Sequence, residues 1–69
     1  MNSSEIENIF TYHAPKSDQP ARYELLRAKA KELAILINNS CADSREKSLA
    51  ITHLQNAIMW ANASIAINE

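Results

Sequence analysis

Each of the two long helical segments in this chain carries apolar residues on two sides, and that doubling limits what the chain can fold into. With Tyr23 at the origin of a helical wheel, Tyr23, Leu26, Ala30, Leu33, Ala34 and Ile37 share one arc, as a core-facing stripe does. Leu25, Ile35 and Leu36 fall well outside it. In the later segment Ile51, Leu54, Ile58, Ala61 and Ile65 line one face, while Leu49, Trp60 and Ile67 line the opposite one. A helix that is apolar on both sides is packed on both sides, and two helices cannot cover each other's backs. The pattern therefore predicts a chain that completes its core by homo-oligomerisation, with Leu25, Leu36, Leu49, Trp60 and Ile67 at the interfaces.

Size points the same way. The 69 residues suit a single domain, 1–69. Such a chain buries only about 60% of its unfolded surface, and its core rarely supplies more than about 3–5 kcal/mol. Cys41 is the sole cysteine, which excludes an internal disulfide and a cysteine-based zinc site. His13 and His53 show no metal-ligand spacing, so neither metal nor cofactor is expected. Of the usual remedies for a small core, association with further copies is the one left.

The segment Ser48 to Asn68 has no formally charged residue, but His53, Gln55, Asn56, Asn62 and Ser64 interrupt it. A membrane span needs roughly 20 predominantly apolar residues, so a closely packed helix is expected rather than a transmembrane one. Met1 to Phe10 is polar and acidic, unlike a secretory leader. With the lone thiol, this leads to the expectation of a reducing cytoplasm. The net charge of −1 argues against binding polymeric nucleic acid. The charge is unevenly spread, however: Arg22, Arg27, Lys29 and Lys31 lie close together, opposed locally by Glu24 and Glu32.

The class expected is all-α: a short amino-terminal helix followed by an antiparallel two-helix hairpin. Ser3 to Ile9 suits the short helix, capped by Ser3 or Ser4. Phe10 to Gln19 reads as an ordered loop, with Pro15 biasing Ala14 away from helix. Ser17-Asp18 offers an N-cap before Pro20, and the first long helix should run from about Pro20 to Asn38. Asn38-Asn39-Ser40 should stop it, because Asn tolerates the left-handed conformation where a chain has no glycine. Asp43-Ser44-Arg45-Glu46 resembles a capping box with Asp43 as the cap, opening a helix from Ser44 to about Ile67. Ala50, Ala57, Ala61 and Ser64 form a strip of small residues that would let another helix approach closely.

Catalysis finds little support. The absence of glycine excludes a P-loop, a dinucleotide-binding fingerprint and a nucleophile elbow, and no carboxylate pair sits on an apolar face. Cys41, in a turn, is read as a bystander. Binding is better supported. Phe10-Thr11-Tyr12-His13-Ala14-Pro15 places aromatics, an imidazole and a rigid proline just before the basic helix. Aromatic rings stack on nucleobases, worth about 1–3 kcal/mol per base, and Arg and Lys hold phosphate. Phe10 is expected to tack the amino-terminal segment onto the hairpin; for Tyr12 packing and ligand contact weigh equally. Arg27 and Lys31 stand one turn apart on an edge of the core stripe, and Glu24 should partly neutralise Arg27 across one turn. Asn62 falls on the core side, where its amide must find partners.

Three ordered segments resemble a known family: Phe10-x-Tyr12-His13-x-Pro15; Gln19-x-x-Arg22-Tyr23-x-x-x-Arg27-x-x-Ala30-Lys31-x-Leu33-Ala34; and Met59-Trp60-Ala61-Asn62-Ala63-x-Ile65-Ala66. The chain is similar over Phe10 to Ile67 to the bacteriophage anti-CBASS cyclic-oligonucleotide sponges, which are related to sponges that counter Thoeris defence. The resemblance implies a small helical protein assembled as a hexamer in the cytoplasm of the infected bacterial host. It would sequester cyclic di- and trinucleotide second messengers without cleaving them. It would also place Tyr12 over a base at a subunit interface, flanked by His13 and Pro15, with Arg27 or Lys31 on the phosphates. Ile67-Asn68-Glu69 stands where family members tend to carry a basic residue, and no residue is assigned to a trinucleotide site. The competing class is a helical homo-oligomeric adaptor or regulator that docks partner helices on its outer stripes.

Overall fold

The computed structural model describes residues 1–69 and contains three α-helices and no strand. Helix α1 spans Ser3–Phe10, α2 Gln19–Ser40 and α3 Arg45–Asn68. Only α2 and α3 pack along their lengths. The start of α2 meets the end of α3, where Gln19 Nε2 donates to Ile65 O and Arg22 pairs with Glu69. The expected antiparallel hairpin with a short leading helix is therefore present. At 1.5 Å per residue its two arms are about 33 and 36 Å long.

Local chemistry at the helix ends differs from the sequence reading in four places. Asn2, not Ser3 or Ser4, caps α1, its Oδ1 accepting from Glu5 N at 2.8 Å. Asp18 stands at the N-cap of α2 but makes no capping hydrogen bond; its carboxylate lies 3.2 Å from Arg22 Nε instead. That approach is too oblique for a hydrogen bond and leaves the buried Nε without one. Ser17, with φ of 52°, supplies the sharp turn before α2. At the far end the asparagines do not stop α2 in a left-handed turn. The helix continues through Ser40, and Cys41 leaves in extended conformation while its N–H donates to Ile37 O at 3.0 Å. Ser44 rather than Asp43 caps α3, its Oγ accepting from Lys47 N at 3.1 Å. The Asp43 carboxylate is drawn to Lys47 Nζ at 2.8 Å, an ion pair one turn long that a neutral capping residue leaves possible.

The hairpin is a plate measuring 45 × 28 × 12 Å, one helix thick. Its radius of gyration, 15.3 Å, exceeds the about 11 Å expected for a compact domain of this length. Along the seam, Tyr23, Leu26, Ala30, Ala34 and Ile37 of α2 and Ile51, Leu54, Ile58, Ala61 and Ile65 of α3 are half-buried; Leu33 stays exposed. No apolar residue is buried outright, and the only buried residue is Gln19, 3% exposed. On the outer stripes Leu25, Leu36, Leu49 and Trp60 are exposed, the last at 72%. Ile67 differs: it is half-buried, and α1 crosses that end of α3, with Asn8 Nδ2 donating to Ile67 O at 3.1 Å. No helix is long and apolar enough to cross a membrane.

The caps separate two neighbouring residues experimentally. Ser44→Ala should cost about 1 kcal/mol through the lost cap. Asp43→Ala, which removes a fully exposed carboxylate from an ion pair with the half-buried Lys47, should cost less than that. Chemical denaturation at fixed protein concentration measures both, and equal losses would contradict the cap assignment.

Candidate ligand-binding site

The segment linking α1 to α2 has almost no backbone hydrogen bonding of its own and is held by side chains. Thr11 Oγ1 donates back to Glu7 O. His13 is half-buried and its Nε2 donates to Asn8 O at 2.7 Å, which requires the Nε2–H tautomer or the imidazolium. Lys16 N donates to Gln19 Oε1 at 3.2 Å, and Gln19 N to Lys16 O at 3.0 Å. Tyr12 projects from this braced loop and is 83% exposed, with Pro15 also exposed. Phe10 is 84% exposed and does not pack on the hairpin as expected, since a hairpin one helix thick offers no interior to receive it. The loop is thus held by hydrogen bonds while Tyr12 on it and Phe10 at the end of α1 stay exposed.

The basic residues of α2 divide by partner. Arg22 donates to both carboxylate oxygens of Glu69 and faces Asp18. Lys29 pairs with Glu32 at 3.5 Å. Arg27 and Lys31 have no acidic partner within 4.0 Å; the expected Glu24–Arg27 pair does not form. Both line an open groove of about 470 Å³ with Ala21, Glu24, Leu25 and Ala28. Arg27 also borders a second furrow, of about 390 Å³, with Tyr23, Asn62, Ala63 and Ala66. Asn62 does not find the partner expected for its amide oxygen, which is buried without a hydrogen bond. Such a group calls for a donor from outside the chain.

A third, mostly apolar furrow of about 290 Å³ runs along the seam between Ala30 and Ala34 on one side and Ile51, Leu54, Gln55 and Ile58 on the other. The small side chains of α2 leave it open. On α3, Ala50, Ala57 and Ser64 of the small-residue strip are exposed and Ala61 is half-buried.

Within one chain, then, Arg27 and Lys31 share a groove, whereas Tyr12, His13 and Pro15 lie on the loop beyond it. No hollow of the chain is lined by both Tyr12 and Arg27. No group of three His, Cys, Asp or Glu residues is placed to hold a metal ion, and Cys41 is exposed in the turn. Reading the sequence alone overlooked Gln19, Asn8 and the Arg22–Glu69 pair as the ties that hold the loop. The available signal was the Gln19-x-x-Arg22 spacing, which puts both side chains on one edge of the first turns of α2.

A thin helical hairpin with exposed aromatic and unpaired basic side chains defines a binding protein in class. The family model for the Acb2/Tad1 hairpin domain matches residues 1–66, and the chain belongs to that family. Members of the Acb2/Tad1 family are cyclic-nucleotide sponges that counter CBASS and Thoeris defence, binding proteins rather than known enzymes. No curated protein and no solved structure matches the chain.

The Arg22–Glu69 pair carries a pH signature. Hydrogen bonding to Arg22 holds the Glu69 carboxyl below its ordinary 4.5 and keeps the Arg22 guanidinium more firmly protonated. Because the folded-state value of Glu69 is depressed, its stabilisation is present above about pH 4.5 and is lost as pH falls through the lower, folded-state value. Thermal unfolding as a function of pH should show Glu69→Gln melting below the wild type at pH 7, with the gap closing toward pH 3. A gap that stays constant would remove the pair from the acid response.

Proposed function

We propose that this protein is a homohexameric sponge in the cytoplasm of the infected bacterial host. It binds cyclic di- and trinucleotide CBASS signals intact and so keeps the defence effector from being activated. The observation that carries this reading is that the single chain leaves its stacking ring and its unpaired cations exposed and apart. Two chains brought together can place Tyr12 of one beside Arg27 and Lys31 of another. Two such pockets of ring and cation match a ligand with stackable bases and phosphates.

Surface area supports the assembly. The chain exposes 5532 Å², against about 4300 Å² expected for a monomer of its mass. The excess exceeds the about 800 Å² that each partner contributes to a standard interface. Leu25, Leu36, Leu49 and Trp60 are among the exposed apolar residues that contribute to it. The open seam furrow and the small-residue strip of α3 give a second helix room to approach. Rigid helical walls limit the ordering cost of binding and favour tight capture.

Native mass spectrometry with 3′,3′-cyclic GMP-AMP and a cyclic trinucleotide tests the reading. A hexamer that takes up nucleotide, released unchanged on denaturation, is the expected result. Cleaved nucleotide would indicate an enzyme; an oligomer that binds none would indicate a helical adaptor for partner proteins. Tyr12→Ala should weaken cyclic dinucleotide binding about a hundredfold, in line with one to two lost stacking contacts, and leave the oligomer intact.

The interface assignment is tested separately. Trp60→Ala should shift the oligomer toward smaller species in sedimentation velocity at micromolar concentration, as expected when an aromatic anchor is removed from an interface. A mutant as fully assembled as wild type would remove Trp60 from the interface.

A further inference from the structure

The loop that carries Tyr12 is tied at both ends to the last turn of α3. The final four carbonyls of a helix largely lack intrahelical donors, and Ile65 and Ile67 both fall in that stretch of α3. Asn8 of α1 donates to Ile67 O at 3.1 Å, and Gln19 at the start of α2 donates to Ile65 O at 3.4 Å. Gln19 is double-ended. While its amide nitrogen reaches α3, its amide oxygen accepts the Lys16 N–H at 3.2 Å and so holds the loop itself.

Two further observations single out Gln19. It is the one buried residue of the chain, and a polar amide is an unusual choice for that position unless its bonds are needed. The loop it holds includes Ser17 with φ of 52°, a conformation unfavourable for any residue but glycine that persists only when its surroundings enforce it. Without the clip, the loop has the bonds of Thr11 and His13 at its leading end and little at its trailing end.

We propose that Gln19 is a positioning residue for the ligand. By clipping the trailing end of the loop to the end of α3 it limits the swing of the segment whose leading end, pinned at Thr11 and His13, presents Tyr12 to a base, and it contributes to affinity through Tyr12 alone. The proposal rests on the sponge reading for its ligand. The clip itself does not, so the two can fail separately.

The test uses the full chain and two substitutions. Gln19→Met keeps the length and shape of the side chain and removes both hydrogen bonds. Gln19→Leu also removes both hydrogen bonds and adds no charge beside Glu69, and it stands in if the methionine variant loses helical circular dichroism. Amide hydrogen exchange without ligand should be about tenfold faster at residues 11–18 in the variants, with exchange in the middle of α2 and α3 unchanged. Affinity for 3′,3′-cyclic GMP-AMP should fall about tenfold, roughly the worth of one hydrogen bond. In a Tyr12→Leu background the same substitution should change affinity less than twofold, since the two residues act as one unit. Unchanged loop exchange would overturn the clip. An equal loss of affinity in both backgrounds would overturn the positioning role and leave Gln19 a structural residue. A wild-type protein that binds no cyclic nucleotide would overturn the sponge reading and the ligand role together, and the exchange data would still decide the clip.

Discussion

Two antiparallel helices lying side by side enclose no volume, and in this chain that constraint governs the rest of the structure. Each helix touches its neighbour along one edge only, so the side chains of the seam are half-covered and none of the apolar ones is buried. A plate one helix thick has two broad faces and two outer edges, and Leu25, Leu33, Ile35, Leu36, Leu49, Met59 and Trp60 of its two helices are exposed. The hydrophobic effect scales with area removed from water, so such a plate gains little from its own fold. Small residues on both arms keep those faces shallow enough for close approach.

Electrostatics divides the basic residues of α2 into two kinds. Arg22 is committed to the fold: with Glu69 and Asp18 it closes the open end of the hairpin, where a connecting turn is lacking. Lys29 is balanced by Glu32. Arg27 and Lys31 form no ion pair, and they face a common groove that Glu24 also lines. Unpaired cations beside an open groove attract an anion from solution. The same end of the molecule holds the aromatic loop, braced against helix-terminal carbonyls instead of by a backbone ladder. The polar ties at that end close the hairpin and hold the loop.

Much of this was legible beforehand, and the exceptions have local causes. The hairpin followed from apolar periodicity of 3.6 residues, and the faces turned toward the seam match the Tyr23 and Ile51 arcs apart from Leu33. The caps were less legible. Asp43 and Ser44 are both good N-cap residues, and the choice depends on Lys47, whose ammonium takes the carboxylate and leaves the hydroxyl to the backbone. Asn39 can adopt a left-handed stop but is not required to when the chain leaves the helix extended at Cys41. Phe10 was expected to pack because aromatic residues usually do, yet in a chain without an interior no site is available for it.

By itself the sequence determined the class, the number of helices, their approximate ends and the excess of apolar surface, because these depend on the order of residues along each segment. Tertiary structure decided which partners meet across the chain: Gln19 with Ile65, Asn8 with Ile67, Arg22 with Glu69. Those residues are 46 to 59 positions apart, and no periodic pattern links them. Their pairing depends on where the end of α3 stops relative to the start of α2, which the relative slide of the two helices sets. The same structure leaves Arg27 without an ion pair, the Asn62 amide oxygen without a hydrogen bond and Tyr12 exposed. It also made a glutamine, rather than any leucine, the most deeply buried residue in the molecule.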